Sequence, residues 1–149
     1  MLVNTLISFL MILITTVIHA FGMILVFRAI RSQEGHMNND LRRKQIVWTS
    51  GTVLLMFIVS FAEVTVWAIA YLLTGAIEGF EHALYFSMVT FTTLGYGDIV
   101  LNENWRLLGS LQAANGIIMF GWTTAIVVAS VHHIFLSKIS NTKNDQEAT

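Results

Sequence analysis

Three stretches of this 149-residue chain stay apolar for longer than a buried helix of a soluble protein needs. The first runs from Thr5 to Phe27 without a formal charge. The second runs from Ile46 to about Leu73, interrupted only by Glu63, and the third from Leu107 to Leu136, again without formal charge. About 20 apolar residues cross the hydrocarbon core of a bilayer as a helix, so the pattern predicts three spans. A fourth stretch, Phe80 to Thr92, is half that length. Its apolar residues Ala83, Tyr85, Phe86, Val89 and Phe91 suit a helix, and it leads directly into Gly95-Tyr96-Gly97. A short helix followed by a strand-like return predicts a re-entrant loop. Irregular backbone at membrane depth is tolerated only where protein buries it or it lines a watery path.

Composition removes the soluble alternative. Hydrophobic residues make up 55% of the chain and charged residues 11%, against about 25% charged in ordinary globular proteins. So few charges cannot cover the water-facing surface of a three-helix bundle. The first stretch does not read as a signal peptide either. Met1-Leu2-Val3-Asn4 carries no basic side chain, and the apolar run far exceeds the roughly 7–15 residues of a signal core.

The distribution of charge adds an orientation. Arg28, Arg31, Arg42, Arg43 and Lys44 lie between the first and second stretches, and Lys138 and Lys143 follow the third. Residues 75–105 contain no Lys or Arg but hold Glu78, Glu81, Asp98 and Glu103. The positive-inside rule then puts 28–45 and 137–149 in the cytoplasm, with the N-terminus and 75–105 outside. The polar tail from Ser137 to Thr149 is expected to be disordered. Without cysteine, disulfides, thiol nucleophiles and thiolate metal sites are excluded. No basic cluster suits nucleic acid, and no span carries the repeated basic residues of a voltage sensor.

Ionisable residues within the spans carry two readings each. Glu63 is either a protonated or hydrogen-bonded side chain that holds helices together, or a proton-coupled gating group. His19 is its candidate partner, yet counting helical rise along the two spans separates them in depth by about 9 Å. His132 and His133 near the cytoplasmic end of the third span read first as interfacial side chains. The alternative is a ring of His132 copies that repel when protonated and open the inner mouth.

Thr90-Phe91-Thr92-Thr93-Leu94-Gly95-Tyr96-Gly97-Asp98 resembles the signature of pore-loop potassium channels, and Ala83-Leu84-Tyr85-Phe86-Ser87 resembles their pore helix. The similarity continues without a gap from Arg106 through Ala125, through Gly116, Phe120-Gly121 and Thr124-Ala125. It covers about residues 46–136 and resembles small prokaryotic two-helix-pore channels, with an extra N-terminal helix.

The implied fold is an all-α membrane protein with three transmembrane helices per chain and a re-entrant pore helix and filter between the second and third. The implied assembly is a homotetramer around a central pore in a plasma membrane. Residues 1–45 form an N-terminal helix and basic loop, 46–136 the pore domain and 137–149 a short tail. The resemblance implies passive potassium conduction, with lipid and potassium ions as partners, no cofactor and no enzymatic chemistry. A nonselective cation channel, a secondary transporter and a non-conducting accessory protein are the rivals.

The chemistry of Thr93, Leu94, Gly95, Tyr96 and Gly97 fits that implication. Rings of backbone carbonyls replace the water of a dehydrated potassium ion, and glycine reaches the positive φ that aims carbonyls to one side. The Thr93 hydroxyl would add an inner ligand, and Leu94 and Tyr96 would pack against the pore helix. Thr92, Asp98 and Tyr85 would support the filter, with Tyr85 donating to Asp98. Three features depart from the family pattern: Leu94 stands where Val is usual, Val89 stands where some members carry Glu, and the proline common shortly after the filter is missing, as is every other proline.

Gly116, then Gly121, are the hinge candidates, although the same glycines equally serve close packing. The resemblance sets Ile117, Phe120 and Thr124 on the cavity, with Val128 and His132 toward the inner mouth. Periodicity alone picks Gln112, Asn115, Met119, Thr123 and Ser130 instead. With the register taken from the resemblance, this polar stripe is expected to face the pore helix or a neighbouring subunit.

Overall fold

The computed structural model of the protein describes residues 2–32 and 41–147, with side chains for 2–32 and 46–132. Four helices follow in order: α1 (Leu2–Arg31), α2 (Leu41–Leu73), α3 (Phe80–Phe91) and α4 (Arg106–Glu147). Among the described residues, three segments are long and apolar enough to cross a membrane, Leu2–Arg31, Ile46–Leu73 and Arg106–His132. The protein is therefore an all-α, multi-pass membrane protein.

Local chemistry explains the boundaries. With no proline in the chain, nothing breaks the long helices from within. At the end of α2, Gly75 takes φ 67° and its N–H donates to the Leu72 carbonyl, while the Ala76 N–H donates to Tyr71 O at 2.9 Å. That pair of bonds is a Schellman stop, which needs a left-handed residue and so favours glycine. Gly79, at φ 83°, turns the chain into α3.

One face of α1 is buried: Asn4, Ser8, Met11, Thr15, His19, Gly22 and Val26. Steps of three and four residues make a narrow seam, and it packs against both α2 and α4. The Asn4 amide donates to the Asn104 carbonyl, and Asn115 donates to Thr15 Oγ1 at 3.1 Å. The constant offset of these pairs shows that α1 and α4 run parallel in register. Against antiparallel α2 the fit is tight. A Cβ on Gly22 would fall 2.6 Å from Val59 Cγ2.

Three expectations need correction. The tail is not irregular: α4 continues through Glu147, and no glycine or proline after Gly121 interrupts it. His19 and Glu63 do not lie at different depths but touch, Nδ1 to Oε1 at 2.8 Å. The Gly22–Val59 contact sets the register of α1 on α2, and the ends of the apolar runs do not. The return after α3 is not a strand. Residues 94–96 pair with no ladder partner and form irregular backbone. The side chains of Arg42, Arg43, Lys44, His133, Lys138 and Lys143, and residues 33–40, lie outside the described residues.

Candidate functional site

The site is built on α3. Ala83, Ser87 and Phe91 recur every fourth residue and are buried, so one stripe of this helix faces the core. Its last turn sets the start of the loop that follows. The Thr93 N–H donates to Thr90 O and the Leu94 N–H to Val89 O, each at 3.0 Å. The Thr92 hydroxyl donates to Met88 O at 2.8 Å. Any displacement of α3 therefore passes directly into the residues that follow.

Along those residues φ is positive at Thr93 (58°), Gly95 (56°) and Gly97 (77°), and not at Leu94 or Tyr96. In extended backbone successive carbonyls point to opposite sides; alternating the sign of φ lets them face one side. The glycines are legible in the sequence for this reason. Thr93 is not, because a β-branched residue resists this region, at a cost on the order of 1–3 kcal/mol.

At the far end Tyr85 Oη donates to Asp98 Oδ2 at 2.5 Å, and the Ile99 N–H donates to Asp98 Oδ1 at 3.0 Å. The tyrosine hydrogen bond, then the backbone N–H, hold the Asp98 carboxyl below its ordinary 3.8. The same bond raises the Tyr85 hydroxyl. The loop from Thr93 to Asp98 is thus tied to α3 at both ends. Leu94 and Tyr96, expected to pack against the pore helix, are 55% and 67% exposed in the single chain. A single chain supplies no wall on that side.

On α4, Ile117, Phe120, Thr124, Val128 and His132 all lie on the uncovered face. Phe120 meets Phe91 edge to face at 5.5 Å between ring centres. The polar stripe turns inward: Gln112, Asn115, Met119 and Ser130 are buried and Thr123 half-buried. Gln112 reaches the pore helix. Asn115 and Thr123 reach α1 of the same chain, where the Thr123 hydroxyl lies 3.4 Å from His19 Nε2. Gly116 and Gly121 differ sharply. A Cβ on Gly116 would lie 2.0 Å from the Phe91 carbonyl oxygen, whereas one on Gly121 meets nothing within 4 Å. Glu63 is buried on the side of α2 facing α1, away from the filter residues.

Sequence reasoning missed a buried network behind the pore helix. Tyr71 Oη donates to Gln112 Oε1 at 2.6 Å, and Gln112 Nε2 donates to Ser87 Oγ at 2.7 Å and to Ser87 O at 3.2 Å. Ser87 Oγ in turn donates to Val64 O at 2.7 Å. The available signal is an amide, Gln112, in the middle of an apolar helix. Among the described residues no group of three or more His, Asp or Glu side chains could hold a metal ion.

Comparison with known proteins agrees with this architecture. Residues 46–132 match a family described as "Ion channel". No curated protein and no solved structure matches the chain. The matched residues hold most of α2, α3, the loop that follows it and the membrane-crossing part of α4, and they make up more than half of the chain. The chain belongs to the pore-loop ion channel family.

Proposed function

We propose that the chain is one of four identical subunits of a potassium-selective channel, in which Thr93, Leu94, Gly95, Tyr96 and Gly97 form the filter. The observation that carries the reading is the alternation of φ over Thr93, Gly95 and Gly97. A backbone of this kind can offer several carbonyls to one axis, and one loop cannot surround an ion, so several copies must share it. The exposed Leu94, Tyr96, Ile117 and Phe120 are apolar surface that such an assembly would cover or direct at its cavity. Conduction is passive, and the permeating ions are the only ligands required; no cofactor takes part.

In this reading the filter mouth and the N-terminus face outward across the plasma membrane and the end of α4 faces the cytoplasm. The acidic residues Glu78, Glu81, Asp98 and Glu103 then raise the local cation concentration at the outer mouth.

Purified protein in planar bilayers with potassium on one side and sodium on the other tests the proposal. The reversal potential is expected to lie close to the potassium equilibrium potential. Gly95→Ala is expected to abolish this current with assembly intact, because alanine at φ 56° is strained. Equal passage of both ions would establish a nonselective channel instead, and no current from assembled protein would make the chain a non-conducting subunit.

A further inference from the structure

The pore helix is short, and it is joined to the filter by hydrogen bonds rather than by slack chain. Whatever fixes its rotation and height fixes the filter. Two residues of α4 one turn apart, Gln112 and Gly116, meet two residues of α3 one turn apart, Ser87 and Phe91.

We propose that this is a two-point clamp in which Gln112 is the positioning residue for ion selectivity. The inference rests on the channel reading above and goes beyond it, since Gln112 touches neither ion nor filter.

The upper point is polar. Gln112, Ser87 and Tyr71 are all fully buried. The Gln112 amide accepts from Tyr71 on α2 and donates twice to Ser87 on α3, while Ser87 passes its own proton to the Val64 carbonyl on α2. Three helices thus share one side chain, and both of its polar ends are engaged. Buried networks that are complete in this way select one arrangement, because any slip leaves a buried polar atom unpaired.

The lower point is steric. Absence of a Cβ at Gly116 lets α4 sit against the Phe91 carbonyl. A steric stop limits approach but not rotation; the hydrogen bonds at Ser87 supply the missing constraint. Sites of this kind hold function only when supported to within about 0.5 Å.

Gln112→Met keeps the length of the side chain and removes its donors and acceptor. It is expected to assemble and conduct but to lose potassium-over-sodium permeability by about tenfold, the worth of one net hydrogen bond. Gln112→Glu retains an oxygen for Tyr71 and, protonated in its buried site, a donor for Ser87, so it is expected to restore most of the ratio. Thr15→Val removes a buried hydrogen bond between α4 and α1. It is expected to lower stability and leave the permeability ratio unchanged, which separates positioning from general loosening.

If Gln112→Met does not assemble, Ser87→Ala carries the test. It deletes the hydroxyl from the same clamp, and the ratio is expected to fall there too. An unchanged ratio in an assembled clamp variant, or an equal fall in Thr15→Val, overturns the clamp while the channel reading stands. An unselective wild type overturns both.

Discussion

At the residue scale, glycines that read alike in the sequence have opposite surroundings. Gly116 has the Phe91 backbone against it, with oxygen, carbon and Cα at 2.0, 2.9 and 3.2 Å from a Cβ built there. Backbone in a three-turn helix cannot give way as a flexible side chain can. Gly116→Ala is therefore expected to destabilise the protein by about 3 kcal/mol, the upper end of ordinary overpacking. Gly121→Ala meets no neighbour and is expected to change stability by less than about 1 kcal/mol, since alanine also favours helix. Thermal unfolding in detergent checks both, and equal tolerance of the two would contradict the contact. A bend in α4 meets no obstruction at Gly121, whereas at Gly116 it would open the seat of the pore helix. Asp98 gives a pH prediction at the same scale. Its carboxyl is depressed in the folded protein, chiefly by Tyr85. The support it lends the filter mouth is thus fully present above the ordinary carboxylate value and lost only as pH falls through the depressed one. Current is expected to persist as the bathing pH approaches 4. Tyr85→Phe removes the main cause of the depression, so its acid loss is expected to begin at a higher pH than in wild type.

At the element scale, α1 is bound into the subunit rather than laid beside it. Its polar seam meets the turn before α4 at Asn104, α4 at Asn115 and Thr123, and α2 at Glu63. His19 and Glu63 have no exposed side-chain surface, and the His19 ring also lies 5.1 Å from Trp122. Removing one member of such a pair leaves the other buried without its partner, whereas removing both is close to neutral. Glu63→Leu alone is expected to cost about 3 kcal/mol, and His19→Leu with Glu63→Leu to recover most of it. Additive losses in detergent unfolding curves would show that the two do not depend on each other. The helices themselves are legible in the sequence because length and period are local properties. The pore helix expected over Phe80 to Thr92 is found at Phe80–Phe91. The His19–Glu63 contact is not legible, because it depends on how far α1 slides along α2, which Gly22 and Val59 decide by contact. The polar stripe of α4 is half legible. The pore helix is one of its two expected destinations, but α1 takes the place of a neighbouring subunit for Asn115 and Thr123.

At the scale of the whole molecule, the two sides of the pore domain differ in kind. On one side Trp67, Tyr71, His19, Glu63, Gln112 and Asn115 are all buried within one copy. Along the loop after α3 and one face of α4 the chain is open, with Tyr96, Ile117 and Val128 each more than 60% exposed. A lipid-facing helix can be apolar without limit, but the filter backbone cannot face lipid, because carbonyls there have no donor. In the proposed tetramer, four filters bring their carbonyl oxygens to one axis. Those dipoles repel each other unless a cation lies between them. An ion that binds the assembled filter and not the separate chains must stabilise the assembly, by an amount that grows with its concentration and affinity. The oligomer is therefore expected to survive heating to a higher temperature in potassium than in the same concentration of sodium, read as the four-chain species remaining on a detergent gel. Gly95→Ala distorts the ion site but leaves the helix contacts in place, so its oligomer is expected to form and to lose this preference for potassium. A four-chain species with equal heat resistance in both salts would separate assembly from ion binding. It would place the selectivity of this protein outside the five residues from Thr93 to Gly97.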